Sequence, residues 1–130
     1  MEDISIPAEM TACVWRGGDR VEVETVPVPE ISEGELLVQV EACGLCPTDI
    51  KKIDMGLTKP PAILGHEMAG KVVAAGHGAK EFLGKRVAVY HHVPCMSCRL
   101  CELGRFSQCE GYKKTGTSAG SVSYTHLRAH

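Results

Sequence analysis

The chain has 130 residues, 14 Lys+Arg against 16 Asp+Glu, and a formal net charge of −2. That length reads as one domain able to bury a continuous core, and 44% apolar with 23% charged residues is a globular mixture rather than a disordered or fibrous one. With no Lys/Arg run and no apolar run near the ~20 residues that span a bilayer, neither a nucleic-acid nor a membrane partner is expected.

Taken in chain order, the first signal is the strand-like run Thr11-Ala-Cys-Val-Trp15, directly after Met10, so residues 1–9 read as an N-terminal extension. The acidic start lacks the basic-then-apolar pattern of a secretory leader. Val21 to Thr25 alternates with period two. Leu36 to Ala42 sets Leu36, Val38, Val40 and Ala42 on one face and Leu37, Gln39 and Glu41 on the other. Both predict half-buried antiparallel strands, the second bounded by Pro27, Pro29 and Gly34. Pro47 to Met55 predicts a short helix ended by Gly56, with Pro47 suited to its first turn and Ile50 and Ile53 three apart. Pro60-Pro61 forces an extended link before Ile63. Lys71 to Ala75 and Arg86 to Tyr90 are β-prone, punctuated by Gly76-His-Gly78 and Leu83-Gly-Lys85. The fold class expected is mainly β: a small, mostly antiparallel barrel over residues 10–121, with one short helix. Residues 122–130, Val-Ser-Tyr-Thr-His-Leu-Arg-Ala-His, resemble the translation of a transposase adapter used in sequencing libraries, and are expected to be an artefactual tail.

Cysteine usage is the outlier. There are seven, at 13, 43, 46, 95, 98, 101 and 109, an odd count that without a leader points to a reducing, cytoplasmic setting and to metal rather than disulfides. Cys95-x2-Cys98-x2-Cys101-x7-Cys109 can close a tetrahedral shell of thiolates around a structural zinc, with Gly104 letting the loop turn. The first two spacings also fit a bacterial ferredoxin cluster, but the last gap is too long and Glu110 stands where a proline is required. The polar residues Ser97, Arg99 and Glu102 argue against four unliganded core cysteines. Cys46 precedes the predicted helix, where the dipole and unpaired amides favour a thiolate; Cys13 and Cys43 fit a small buried apolar cysteine better. Cys46, Thr48 and Asp49, with Gly65-His66-Glu67 some twenty residues on, offer zinc ligands, a carboxylate to orient the imidazole and a hydroxyl to relay a proton. Taken alone, a His in an Ile-Leu-Gly-His-Glu-Met-Ala-Gly run such as that around His66 is more often a packed or capping residue than a ligand.

Cys43-Gly-Leu-Cys46-Pro-Thr-Asp49, Gly65-His-Glu67-Met-Ala-Gly70, the four-cysteine lobe and Tyr112-Lys-Lys-Thr-Gly-Thr-Ser-Ala-Gly120 follow one another in a recognisable order. Over Met10 to Gly120 the chain resembles the N-terminal catalytic, chaperonin-10-like domain of the zinc-dependent alcohol dehydrogenases of the medium-chain dehydrogenase/reductase family. The resemblance implies Cys46 and His66 as catalytic-zinc ligands and Glu67 as a carboxylate that approaches or ligates the metal. It implies Asp49 behind the histidine, Thr48 as the hydroxyl that hands on the substrate proton, and Cys95, Cys98, Cys101 and Cys109 around a structural zinc. It further implies a small-molecule alcohol or polyol substrate, NAD or NADP as acceptor, and a homo-oligomer only at full length. Two departures stand out. Many relatives carry a histidine two residues after the aspartate, where this chain has Lys51, and Gly76-His-Gly78 is followed by Glu81 where a dinucleotide fingerprint needs a third glycine. The chain also stops before the family's remaining catalytic-zinc ligand and its coenzyme domain, so the 130 residues alone are expected to be inactive. A zinc-stabilised binding module, a chaperonin-10-type interaction protein and a zinc-free quinone reductase are the alternatives; none of them needs both metal motifs.

Overall fold

A computed structural model of the chain describes residues 5–90, 94–111 and 124–128, the last five as backbone alone. Its strands form two antiparallel sheets. In the first, β1 (Glu9–Gly17) lies between β2 (Arg20–Pro27) and the short β4 (Ala62–Ile63). In the second the order is β6-β5-β3-β7, from β3 (Glu35–Gly44), β5 (Glu67–Ala75), β6 (Arg86–Tyr90) and β7 (Tyr124–Arg128). The helices are α1 (Pro47–Asp54) and α2 (Arg99–Glu102). The molecule is mainly β, as the alternating patterns predict. Among the described residues no helix is long and apolar enough to cross a membrane.

Two clusters make the core, one on either side of the β3–β5 pair. Leu36, Val38, Met68, Val72, Ala79 and Val89 pack together, and Met10, Leu37 and Val73 form the other. This corrects the expected faces of β3: Leu37, assigned to the polar face, is 3% exposed, whereas Ala42 is exposed. The register of β3 against β5 shifts between Leu37 and Val38 and again between Val40 and Ala42. The first shift adds Val73 in β5 and the second adds Glu41 in β3; Leu36 and Val38 still face one cluster and Leu37 the other, so both faces of the strand's first half are covered. Gly70 sits opposite the second shift, where a Cβ would collide with the carbonyl of Gln39. β2 is also not half-buried: Val21 is 58% and Val23 75% exposed. It is the edge of its sheet, paired with β1 alone.

β7 runs beside the first half of β3, with Glu35 opposite Arg128 and Gln39 opposite Tyr124. It falls inside the segment read as adapter-derived. A ladder uses N–H and C=O groups that almost every residue carries, so the pairing says nothing of that segment's origin. The family-like run Tyr112–Gly120 lies outside the described residues.

The same topology assembles the site. Gly44 ends β3 and is paired with Glu67, the first residue of β5, so the segment entering α1 and the segment entering β5 meet at one end of the sheet.

Candidate functional site

Cys46 is the N-cap of α1, in extended conformation at φ −103° and ψ 137°, with Pro47 opening the helix. Its carbonyl accepts from the amide of Asp49 at 3.0 Å, while its side chain makes no cap hydrogen bond. The turn that follows brings Thr48 Oγ1 to 2.9 Å from Cys46 Sγ and 3.2 Å from His66 Nε2. On the far side of the ring, His66 Nδ1 lies 3.0 Å from Asp49 Oδ1. Asp49 and His66 are 5% and 7% exposed, and they are the buried polar residues among those described. Of the residues of α1, Asp49 is the one that is buried, whereas Ile50 is 55% exposed. A carboxylate taken out of water needs a donor, and the imidazole supplies it. In accepting the Nδ1–H, Asp49 fixes the tautomer that leaves the Nε2 lone pair facing Thr48.

Glu67 completes the group: a carboxylate oxygen of Glu67, Cys46 Sγ and a ring nitrogen of His66 all lie within 4.8 Å of one another. One sulfur, one nitrogen and one oxygen suit zinc with a position left open, for which bonds of about 2.0–2.3 Å are needed. The donor set fits the metal. All five residues expected at this site, Cys46, Thr48, Asp49, His66 and Glu67, are brought together. Lys51 is exposed on α1.

The four-cysteine lobe is a second such group, with Cys95, Cys98, Cys101 and Cys109 Sγ atoms within 4.8 Å of one another and Cys98 Sγ 4.0 Å from Cys109 Sγ. Thiolates bound tetrahedrally at about 2.3 Å stand roughly 3.8 Å apart, so this set also fits zinc, with no position left for substrate. Met96 takes a left-handed φ of 57° to turn the chain between the first two ligands. Cys98 caps α2, Cys101 lies within it, and Gly104 at φ 71° reverses the chain as expected. A 3-10 turn over Phe106–Gln108 then returns Cys109, whose sulfur accepts from the amides of Cys95 at 3.2 Å and Gly111 at 3.3 Å. Sequence reasoning missed these backbone donors. Every residue carries an N–H, so no side-chain type marks them.

The lobe's thiols are unequal. The amide and hydroxyl of Ser97, with Cys109, hold the Cys95 thiol down to about 6. The amides of Glu110 and Cys101 lower Cys98, while burial pushes Cys101 up to about 12. At pH 7 Cys95 is therefore mostly thiolate before metal arrives and Cys101 still holds its proton. Zinc uptake at pH 7 is expected to release at least the Cys101 proton, and affinity is expected to fall as pH drops, more steeply below about 6, where Cys95 also reprotonates. Calorimetric titration in buffers of different ionisation enthalpy measures this release; a binding heat independent of buffer would contradict it.

Cys13 and Cys43 differ from expectation: Cys43 is exposed and Cys13 only half-buried. Both line a cleft of about 340 Å³ with Trp15, Asp49, Ile50 and Leu64, so neither is enclosed by packing. The cleft takes in Asp49 but none of Cys46, Thr48, His66 or Glu67. All seven cysteines are unbridged.

The family model of the alcohol dehydrogenase GroES-like domain matches residues 32–130. Sorbitol dehydrogenase of Bacillus subtilis strain 168 is 37% identical over 133 residues, covering 95% of this chain and 38% of that protein. Among solved structures, galactitol-1-phosphate dehydrogenase from Escherichia coli superposes with a TM-score of 0.81 at 30% identity, covering 92% of this chain and 36% of that one. Acetophenone reductase from Geotrichum candidum, in complex with NAD, gives 0.80 at 30% identity, covering 97% and 40%. The chain thus spans less than half the length of each of these proteins.

Proposed function

The chain belongs to the alcohol dehydrogenase GroES-like domain family, and from that premise we propose that it forms the N-terminal catalytic domain of a zinc-dependent oxidoreductase that oxidises a hydroxyl of a small alcohol or polyol, with NAD or NADP as acceptor. The observation that carries the reading is the hydrogen-bonded run from Cys46 through Thr48 and His66 to Asp49, with Glu67 beside it. A binding module stabilised by the lobe alone gives no reason for that run. The polyol preference draws on the sorbitol and galactitol-1-phosphate dehydrogenases among its relatives, and the acceptor on the NAD complex of the reductase. In this reading the domain covers residues 10–121 and works in the cytoplasm, residues 1–9 are an extension, and 122–130 are the adapter-derived tail.

Each side chain then has a task. Cys46, His66 and Glu67 would hold a zinc whose Lewis acidity favours loss of the substrate's hydroxyl proton. Thr48 stands among the ligand atoms and is exposed, so its oxygen can accept that proton while its own hydrogen passes to solvent water. Asp49 keeps His66 in the tautomer with Nε2 available. Lys51 presents an ammonium that donates and does not accept, so no onward relay is assigned to it. Cys95, Cys98, Cys101 and Cys109 would enclose the structural zinc.

No residue of the 130 is assigned to a dinucleotide. Holding an acceptor against the reacting carbon supplies roughly 7–11 kcal/mol of barrier lowering, so the chain by itself is expected to show no turnover. The test is an assay with primary, secondary and polyhydroxy alcohols and either NAD or NADP, on this chain and on the same gene extended through a coenzyme domain. Turnover is expected only in the extended protein. Zinc-dependent turnover by the 130 residues alone, or none in the extended protein with any of these alcohols, would overturn the reading.

A further inference from the structure

β3 ends in Gly44, a residue type that weakens a strand unless something requires it. Its backbone does not: Gly44 is absent from the glycines with positive φ, so any L residue could adopt its conformation. The requirement comes from across the ladder. Gly44 is paired with Glu67, and a Cβ on Gly44 would lie 2.5 Å from Glu67 Oε2 and 3.1 Å from Glu67 Cβ, well inside van der Waals contact. That carboxylate is the one whose oxygen lies within 4.8 Å of Cys46 Sγ and the His66 ring nitrogen. One side chain therefore covers the Cα of Gly44 and reaches the Cys46–His66 pair.

We propose that Gly44 is a positioning residue for the metal site: its missing side chain is the space Glu67 occupies in reaching the ion held by Cys46 and His66. This rests on the reading that Cys46, His66 and Glu67 hold a metal. A methyl group at position 44 would drive the carboxylate into another rotamer, and with Glu67 Cβ already close the strand itself allows little adjustment. The ion would then keep its sulfur and nitrogen ligands and lose its oxygen ligand. Glycine at position 44 thus decides how many ligands position 67 delivers, without touching the metal.

The test is a double-mutant cycle on the whole 130-residue protein, titrated with cobalt(II). The Cys46 site is read as the part of the thiolate-to-cobalt absorption that Cys46→Ser removes, which separates it from the four-thiolate lobe. Gly44→Ala and Glu67→Ala are each expected to weaken cobalt binding at this site by about 10–100-fold, as loss of a ligand's support does. The pair together should be no weaker than Glu67→Ala alone, and the lobe's absorption should be unchanged in all three. Wild-type affinity in Gly44→Ala, an unchanged affinity in Glu67→Ala, or a Gly44→Ala effect that persists at full size in the Glu67→Ala background would each overturn the proposal. Should Gly44→Ala alone fail to fold, Gly44→Ala combined with Glu67→Gly must fold, since both the carboxylate and the Cβ in its way are then gone; an unfolded double variant also overturns it. Absence of any Cys46-dependent absorption in the wild type would sink the site itself, whereas an intact band without coupling would sink only the role of Gly44.

Discussion

Cys98→Ser is expected to cost the protein its lobe zinc and to unfold residues 94–111 while both sheets stay formed. The lobe has little else to hold it. Of its large apolar side chains, Met96 is 55%, Leu103 61% and Phe106 44% exposed and Leu100 is half-buried, and the residues it buries are Cys101 and Cys109. Buried apolar area is what offsets the roughly 1–2 kcal/mol of backbone entropy each ordered residue loses, and here there is almost none. α2 is a single turn, far below the length at which a helix holds itself together in water, and Met96 is kept in a left-handed conformation that favours glycine. Structural zinc of this kind binds with an apparent ~10–16 kcal/mol, the largest single contribution available to order the lobe. The sheets do not depend on it, because among the described residues the clusters around Val38 and Leu37 contain none beyond Val89. Elemental analysis should give one zinc fewer per chain. Amide exchange should lose protection over 94–111 and keep it in β1, β3 and β5. Retained zinc, or retained protection in the lobe, would show that the four thiolates are not what orders it.

The residues that were legible in the sequence are those whose chemistry is local. Four cysteines within fifteen residues have few ways to avoid one another, and the structure brings their sulfurs together as the spacing predicts. The helix after Cys46 was legible for the same reason, since Pro47 and Gly56 mark its two ends within one short segment. Long-range consequences were not. Leu37 alternates as a polar-face residue and is buried, because a second cluster covers that side of β3 as well. Ile50 and Ile53 suggested the apolar face of α1, yet the buried residue is Asp49, drawn inward by a histidine seventeen positions away. No spacing rule couples a helix carboxylate to a loop imidazole, and it was the family resemblance that placed Asp49 behind His66. The pairing exists because β3 and β5 are neighbours in register, and that register is a property of the folded sheet. Gly44 belongs to the same category: its neighbour Glu67 is adjacent only across the ladder.

Asp49→Asn is expected to damage the Cys46–His66 site more than so small a change of shape suggests. The amide matches the carboxylate in volume, so the pocket around residue 49, now 5% exposed, stays filled and the fold is kept. What changes is the direction of the hydrogen bond. Asp49 can only accept from His66 Nδ1, at 3.0 Å, which leaves Nε2 as an acceptor toward Thr48 and toward a metal. An asparagine that turns its NH2 group to Nδ1 reverses this: Nδ1 becomes the acceptor, the ring proton moves to Nε2, and a protonated nitrogen cannot ligate. If the asparagine oxygen faces Nδ1 instead, the tautomer survives but the negative charge behind the ligating ring is gone. Either way affinity at this site should fall by about 10–100-fold, with kcat/KM of the extended protein falling alongside it and the four-thiolate lobe unaffected. Cys46→Ser and His66→Ala remove a ligand outright and should abolish turnover. Nitrogen NMR of His66 separates the two routes, since the protonated and unprotonated ring nitrogens resonate far apart. An Asp49→Asn protein that binds zinc as the wild type does, with Nδ1 still carrying the proton, would show that the His66 tautomer is set by something other than Asp49 and that its charge contributes nothing at the metal.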